Sequence, residues 1–247
     1  MLQVSHATKR FGSLVAVRDV SLSVADGELR AIIGPNGAGK TTFFNLISGF
    51  FPPTSGTIVF DGKDITALPA HARVGLGMAR TFQITEIFPE LTVFENVRIS
   101  TEVANGFRLR PRLSVSESNR VRGEVEAMLE QTGLGSKSAR LVGELSHGDQ
   151  RAAEIAMALA LKPRILLLDE PTAGMGEQET FQMTQLIRKL HRESKFTVVL
   201  IEHDMRVVFH LADRVTVLDQ GSLLAEGTPS EIAVNEAVQS AYLGKAA

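Results

Sequence analysis

The chain is predicted to fold as an α/β protein, with a parallel sheet core, an antiparallel β subdomain beside it and an inserted α-helical subdomain. Three observations lead there. The last third alternates near-continuous apolar runs at 165–168, 196–201 and 214–218 with stretches of helical spacing at 177–192 and 204–211. That is the pattern of parallel strands covered by helices on both faces. Residues 2–32 carry short alternating runs broken by turns such as Ala25-Asp-Gly27, which reads as antiparallel strands. From about 85 to 160 apolar positions such as Val121, Val125, Met128 and Leu129 recur at the spacing of a helix face.

The remaining elements follow in order. Residues 29–33 form a short apolar strand that belongs in the parallel sheet, and Lys40 opens a helix stopped by Gly49 and by Pro52-Pro53. Residues 57–60 before Asp61-Gly62 read as a strand and tight turn that extend the β-rich lobe. Residues 104–115 hold Gly, Pro and three arginines without periodicity and read as a loop, either a basic phosphate-binding segment or a solvated connection. One domain over 1–247 results: a core lobe of about 1–84 and 161–222, a helical lobe of about 85–160, and a helical tail of about 223–247.

Composition narrows the partners. Of the 247 residues 44% are apolar and 22% charged, and the formal charge is −2, so no basic surplus draws nucleic acid. Without cysteine, disulfides and thiolate metal sites are excluded and any metal is expected to come with oxygen ligands. The amino-terminal residues lack the apolar core of a signal peptide, and no run of about 18 apolar residues occurs. The expectation is a cytosolic chain whose membrane link runs through a partner.

The chemistry concentrates in three places. Gly34, Pro35, Asn36, Gly37, Ala38, Gly39, Lys40 and Thr41, followed by Thr42, lie between the strand at 29–33 and the helix from Lys40. The glycines let main-chain N–H groups point inward at phosphate oxygens, and the helix start adds its positive dipole end. Lys40 then reaches the β- and γ-phosphates, and Thr41 offers a hydroxyl to Mg²⁺. This is a P-loop for Mg-ATP. Asp169 and Glu170 close an apolar strand, where an open α/β sheet places its ligands; Asp169 suits Mg²⁺ and Glu170 suits the water that attacks the γ-phosphorus. A second strand ends in Glu202, His203 and Asp204, where His203 either reaches the γ-phosphate or serves as a hydrogen-bonded structural residue.

These residues, in this order, resemble the ATP-binding subunit of ABC transporters over essentially the whole chain, which implies a RecA-like P-loop NTPase core. The resemblance implies that Phe11 stacks on adenine, although a core position is open to it as well. It also implies that Gln83 senses nucleotide and metal; a turn-forming role is its alternative. The signature is Leu145-Ser-His-Gly-Asp-Gln150 and the Walker B strand 165–170. Ser146 and Gly148 open an apolar helix, a second anion-facing N-terminus, which by the resemblance meets ATP bound by the opposite subunit. The active unit is thus expected to be a dimer sandwiching two ATP molecules.

Two departures stand out. His147 and Asp149 replace the usual glycine and glutamine, and Gly176 replaces the usual aspartate after Walker B. A carboxylate near a γ-phosphate costs Coulomb energy, so Asp149 is expected to point away. The segments 81–83, 88–96, 170–175 and the tail with Ala241-Tyr-Leu-Gly244 look like importers of branched-chain amino acids; urea and short-amide importers look similar. The implied partners are transmembrane permeases, a second ATPase chain and, indirectly, a substrate-binding protein, at the cytoplasmic face of the membrane. Ile87 and Phe88 read as a loop that either receives a permease helix or packs into the core. A soluble ABC ATPase acting on ribosomes or DNA is disfavoured by the single cassette and acidic charge. A GTPase is disfavoured because no Asn-Lys-x-Asp motif occurs.

Overall fold

The computed structural model describes residues 1–81, 87–107 and 113–243. Strands β1 (Leu2–Phe11), β2 (Leu14–Val24), β4 (Ser55–Phe60) and β5 (Lys63–Asp64) form an antiparallel sheet in the order β2-β1-β4-β5. The second sheet holds β3 (Leu29–Ile33), β6 (Met78–Arg80), β7 (Ile165–Asp169), β8 (Thr197–Ile201), β9 (Arg214–Asp219) and β10 (Ser222–Gly227), in the order β10-β9-β3-β8-β7-β6. Its neighbours are parallel except for β10, which runs antiparallel to β9 at the edge.

The parallel strands are apolar along their length because both faces are covered. Ile32, Ile165, Leu167, Val199 and Ile201 pack with β1, β2 and helix α1 (Lys40–Ser48). The alternate residues Ala31, Ile33, Leu166, Leu168, Val198 and Leu200 face the other core. That core takes in α3 (Val93–Ala104), α4 (Val115–Gln131), α5 (His147–Ala160), α6 (Glu177–Ser194) and α7 (Met205–Leu211). Helix α2 (Ala70–Val74) carries the fully buried Arg73, whose guanidinium donates to the carbonyls of Leu46, Ile47, Ile65 and Leu68. The bonds to Leu46 and Ile47 satisfy C-terminal carbonyls that α1 leaves open, and burial lowers the Arg73 pKa to about 10.

Two boundaries differ from the sequence reading. Residues 223–227, read as part of a helical tail, are in strand β10; among the described residues of the tail, α8 (Pro229–Ala233) and α9 (Glu236–Leu243) are helical. Leu, Ala and Glu favour helices on their own, but the ladder to β9 overrides that preference. The loop read at 104–115 loses both ends to helices, because Ser114 and Glu117 form a capping box that starts α4 at Val115. Among the described residues no helix is long and apolar enough to cross a membrane.

Candidate nucleotide site

Because β3, β8 and β7 are adjacent and parallel, their carboxyl ends bring three distant segments to one edge. Gly34 follows β3, Asp169 ends β7 with Glu170 next to it, and Glu202 and His203 follow β8. In the P-loop, Ala38 N–H donates to the Pro35 carbonyl at 3.1 Å, and the Ala38 carbonyl accepts Gly221 N–H at 3.0 Å. Lys40 is buried, and its ammonium donates to the Gly34 carbonyl at 2.7 Å and the Pro35 carbonyl at 3.1 Å. Asn36, Gly37 and Thr41 are exposed, while Pro35, Gly39 and Thr42 are half-buried. The concave loop thus has a cation folded over it and its polar tip open to solvent.

Asp169 is buried and ion-paired with Arg80 at 2.8 Å. Burial raises its carboxyl above the ordinary aspartate range, with the Arg80 charge opposing. Arg80 also donates to Asn45 Oδ1 and Ser48 Oγ of α1, both at 2.6 Å, and its guanidinium lies over the Phe44 ring. The metal-type carboxylate is thereby tied to the helix that begins at the P-loop. Glu170 sits at φ 48°, the left-handed region, held by its N–H to Ile201 O and by Ala173 N–H to its own carbonyl, both at 3.1 Å. A non-glycine residue so placed stores local strain that the surroundings must hold. The result is a carboxylate turned to His203, whose Nε2 lies 2.5 Å from Glu170 Oε1. His203 Nε2–H donates to the carboxylate, so that nitrogen carries the proton.

Glu202 is the residue that sequence reasoning passed over. It is buried, and Oε1 accepts Thr172 Oγ1–H at 2.6 Å and Thr172 N–H at 3.1 Å, while Oε2 accepts His203 N–H at 3.0 Å. Burial raises its pKa, with these bonds opposing. It therefore pins the loop after Glu170 to the backbone of His203. The only signal in the sequence was a charged residue ending an apolar strand. Glu202→Gln keeps the shape but turns an NH₂ toward main-chain N–H donors, a cost of about 1–3 kcal/mol. The expected result in a melting experiment is a Tm about 3–10 °C lower; an unchanged Tm would contradict the pinning.

Phe11 is 47% exposed, so the core alternative fails; its ring meets Phe51 edge-on at 5.4 Å, with Lys9 Nζ 5.3 Å from its centroid. Ser146 caps α5, accepting Asp149 N–H at 3.3 Å. Ser146 and Gly148 line a cavity of about 180 Å³ with Glu179, Gln182 and Met183 of α6 and with no P-loop residue. Within one chain they are not brought to the P-loop. Asp149 pairs with Lys137 at 2.6 Å, and His147 Nε2–H donates to the Ala173 carbonyl at 3.1 Å. Gln83 lies outside the described residues.

A P-loop on the middle strand of a parallel sheet, with two acids closing a strand of that sheet, defines a nucleotide-hydrolysing ATPase core. Residues 17–173 match the family model described as ABC transporter, and residues 222–247 match that of the branched-chain amino acid ATP-binding cassette transporter. The chain belongs to the ATP-binding family of ABC transporters and is an ATPase of that class. It is 43% identical to the high-affinity branched-chain amino acid transport ATP-binding protein BraF of Pseudomonas aeruginosa, covering 100% of this chain and 98% of that one. Identity to LivG of Escherichia coli strain K12, of the same description, is 40% with the same coverage. Among solved structures, MJ1267, an ATP-binding cassette of an ABC transporter, superposes with TM-score 0.86 at 30% identity, covering 99% of each chain. A dimeric post-hydrolysis state of the cassette MJ0796, bound to ADP and Pi, superposes with TM-score 0.77 at 29% identity, covering 93% of this chain and 99% of that one.

Proposed function

We propose that this chain energises the import of branched-chain amino acids, working as one half of an ATP-sandwiching dimer beneath transmembrane permeases at the cytoplasmic face of the membrane. The observation that carries the cargo is the match of residues 222–247 to a model of its own, since the catalytic core touches nucleotide and never the transported molecule. A dimer agrees with Ser146 and Gly148 standing apart from the P-loop of their own chain: each chain then offers a P-loop to one ATP and a capped helix start to the other.

The residues fit Mg²⁺. Thr41 and Asp169 are hard oxygen donors, and a P-loop magnesium needs one or two carboxylates beside phosphates and waters. Among the described residues no cluster of three acidic or histidine side chains offers a rival cation site. When bound, the ion neutralises charge on the β- and γ-oxygens. The chain supplies the rest. Lys40 leaves the Gly34 and Pro35 carbonyls for the phosphates, and main-chain N–H groups of 36–42 cradle them. Glu170, oriented by His203, takes a proton from water as the water oxygen bonds to the γ-phosphorus. The bond from that phosphorus to the β–γ bridging oxygen breaks, leaving ADP and inorganic phosphate.

Force transfer is assigned to the surface at Phe88. Asn96, fully buried, holds the Phe88 main chain on both sides, accepting its N–H at 2.9 Å and donating to its carbonyl at 3.0 Å. Ile87 packs against the core, whereas Phe88 is 50% exposed. A rigidly mounted, half-bare ring suits a permease helix. Phe88→Asp is expected to abolish co-purification with the permease while ATP affinity stays within about twofold of the original; retained assembly rejects the docking site. The cargo itself is tested with the native complex in proteoliposomes. Leucine, isoleucine or valine with the binding protein should stimulate ATP hydrolysis; stimulation by urea or a short amide instead would reassign the substrate.

A further inference from the structure

The P-loop follows β3, and the strand beside it keeps pace: Val217 of β9 pairs with Ile33, the last residue of β3. The segments that leave these two parallel strands run side by side, the P-loop from Gly34 and the hairpin turn between β9 and β10. Asp219 and Ser222 close that hairpin. Between them Gln220, at φ 48°, and Gly221, at φ 79°, are both left-handed. This is the backbone of a type I′ turn, which glycine accepts readily and glutamine holds only under strain. The segment touches the P-loop at both ends. At the entry, the Leu218 carbonyl oxygen lies 2.1 Å from where a Cβ on Gly34 would stand. At the far end, Gly221 N–H donates to the Ala38 carbonyl at 3.0 Å, and Gly221 Cα lies 3.3 Å from the place of a Cβ on Gly39. Gly221 is held from behind as well, its carbonyl accepting Arg18 N–H of β2 at 2.7 Å. One residue thus joins both sheets to the phosphate loop.

We propose that Gly221 is a positioning residue of the ATP site: its N–H holds the Ala38–Gly39 peptide plane so that the Gly39 N–H is aimed into the phosphate cradle. In a planar trans peptide the C=O and the N–H point in opposite directions. A bond that pins the Ala38 carbonyl outward against the turn therefore turns the Gly39 N–H inward. Gly39 is also the residue at which the loop becomes the start of α1, the helix end whose partial positive charge favours an anion. Glycine offers little resistance to rotation of that peptide, so its orientation needs an outside hold. A side chain on Gly221 would meet the Ala16 carbonyl, with its oxygen at 2.8 Å and its carbon at 3.2 Å, and the turn would have to back away. Linkage makes the hold reciprocal: by whatever factor it favours phosphate binding, bound phosphate strengthens the hold. The inference rests on the nucleotide role of the P-loop.

The chain contains its own control. Asp61 and Gly62, at φ 51° and 75°, form the same kind of turn between Phe60 and Lys63, and nothing lies within 4 Å of a methyl added at Gly62. Gly221→Ala and Gly62→Ala impose the same kind of backbone strain, but only the first pushes a turn off the P-loop. The expected result for Gly221→Ala is a KM for ATP raised about three- to tenfold, the scale of one neutral hydrogen bond, with kcat unchanged. Affinity for inorganic tripolyphosphate should weaken by the same factor, and Gly62→Ala should keep both affinities. In the wild-type chain a saturating non-hydrolysable ATP analogue should slow hydrogen exchange of the Gly221 amide, followed by NMR. The Asp61 amide, bonded to the Met1 carbonyl, should exchange as before. That measurement decides the matter even where Gly221→Ala does not fold. Equal KM in the two variants, or Gly221 exchange indifferent to nucleotide, overturns the proposal. A wild-type chain that binds neither ATP nor tripolyphosphate overturns the P-loop reading and this inference with it, whereas normal binding with an indifferent Gly221 amide overturns the inference alone.

Discussion

Glu170→Gln should cut steady-state ATP turnover by about two to four orders of magnitude, the contribution expected of a positioned general base. ATP binding should survive and an ATP-bound dimer should accumulate. The geometry makes this substitution unusually clean. Glu170 is held at φ 48° by main-chain bonds to Ile201 and Ala173, none of which involves its carboxyl group. Glutamine keeps an oxygen able to accept the His203 Nε2–H that now lies 2.5 Å from Oε1. The shape and the histidine contact therefore persist, and what is lost is a group able to take a proton from water. Phosphate release measured beside size-exclusion in ATP separates the two effects. Turnover within about threefold of the original would remove Glu170 as the base, and hydrolysis lost together with ATP binding would show that the change had damaged the cradle instead.

Much of this site was legible because its parts are local in sequence. The P-loop carries its strand, turn and helix start within residues 29–48, and Asp169-Glu170 end an unbroken apolar run; neither needs knowledge of what lies across the fold. Phe11 was ambiguous for the opposite reason: a phenylalanine at a strand end is core or surface depending on neighbours such as Phe51 and Lys9, which only the fold supplies. Arg80 and Glu202 went unread on the same ground. Their partners, Asn45, Ser48 and Asp169 for one and Thr172 for the other, are far away in the chain. Strand β10 failed differently, since local propensity pointed to helix and the ladder from β9 decided otherwise. The inter-subunit half of the site is legible only through resemblance, because Ser146 and Gly148 meet no P-loop residue in the cavity they line.

Gly39→Ala should be nearly as damaging as loss of Glu170, and by a different route. Gly39 has φ 92°, and a methyl added there would lie 2.4 Å from the Ala16 carbonyl oxygen and 3.3 Å from Gly221 Cα. Both neighbours are main chain, and both are anchored: Arg18 N–H donates to Gly221 O at 2.7 Å, and Gly221 N–H to Ala38 O at 3.0 Å. Neither can retreat without opening the seam between β2 and the β9–β10 turn. Gly34→Ala faces the same obstacle, with Leu218 O 2.1 Å from the new atom. Left-handed strain and overpacking together cost roughly 2–5 kcal/mol, which corresponds to a Tm about 5–15 °C lower. ATP affinity should fall more than about tenfold as the loop yields to relieve the contact. Gly37 supplies the control: its φ is 81°, but nothing lies within 4 Å of an added methyl, so Gly37→Ala carries strain alone, about 1–2 kcal/mol. If Gly39→Ala melts with Gly37→Ala and binds ATP equally well, close approach of backbone is not what these glycines serve; a clear separation between them assigns Gly39 to the fit of the P-loop against β2.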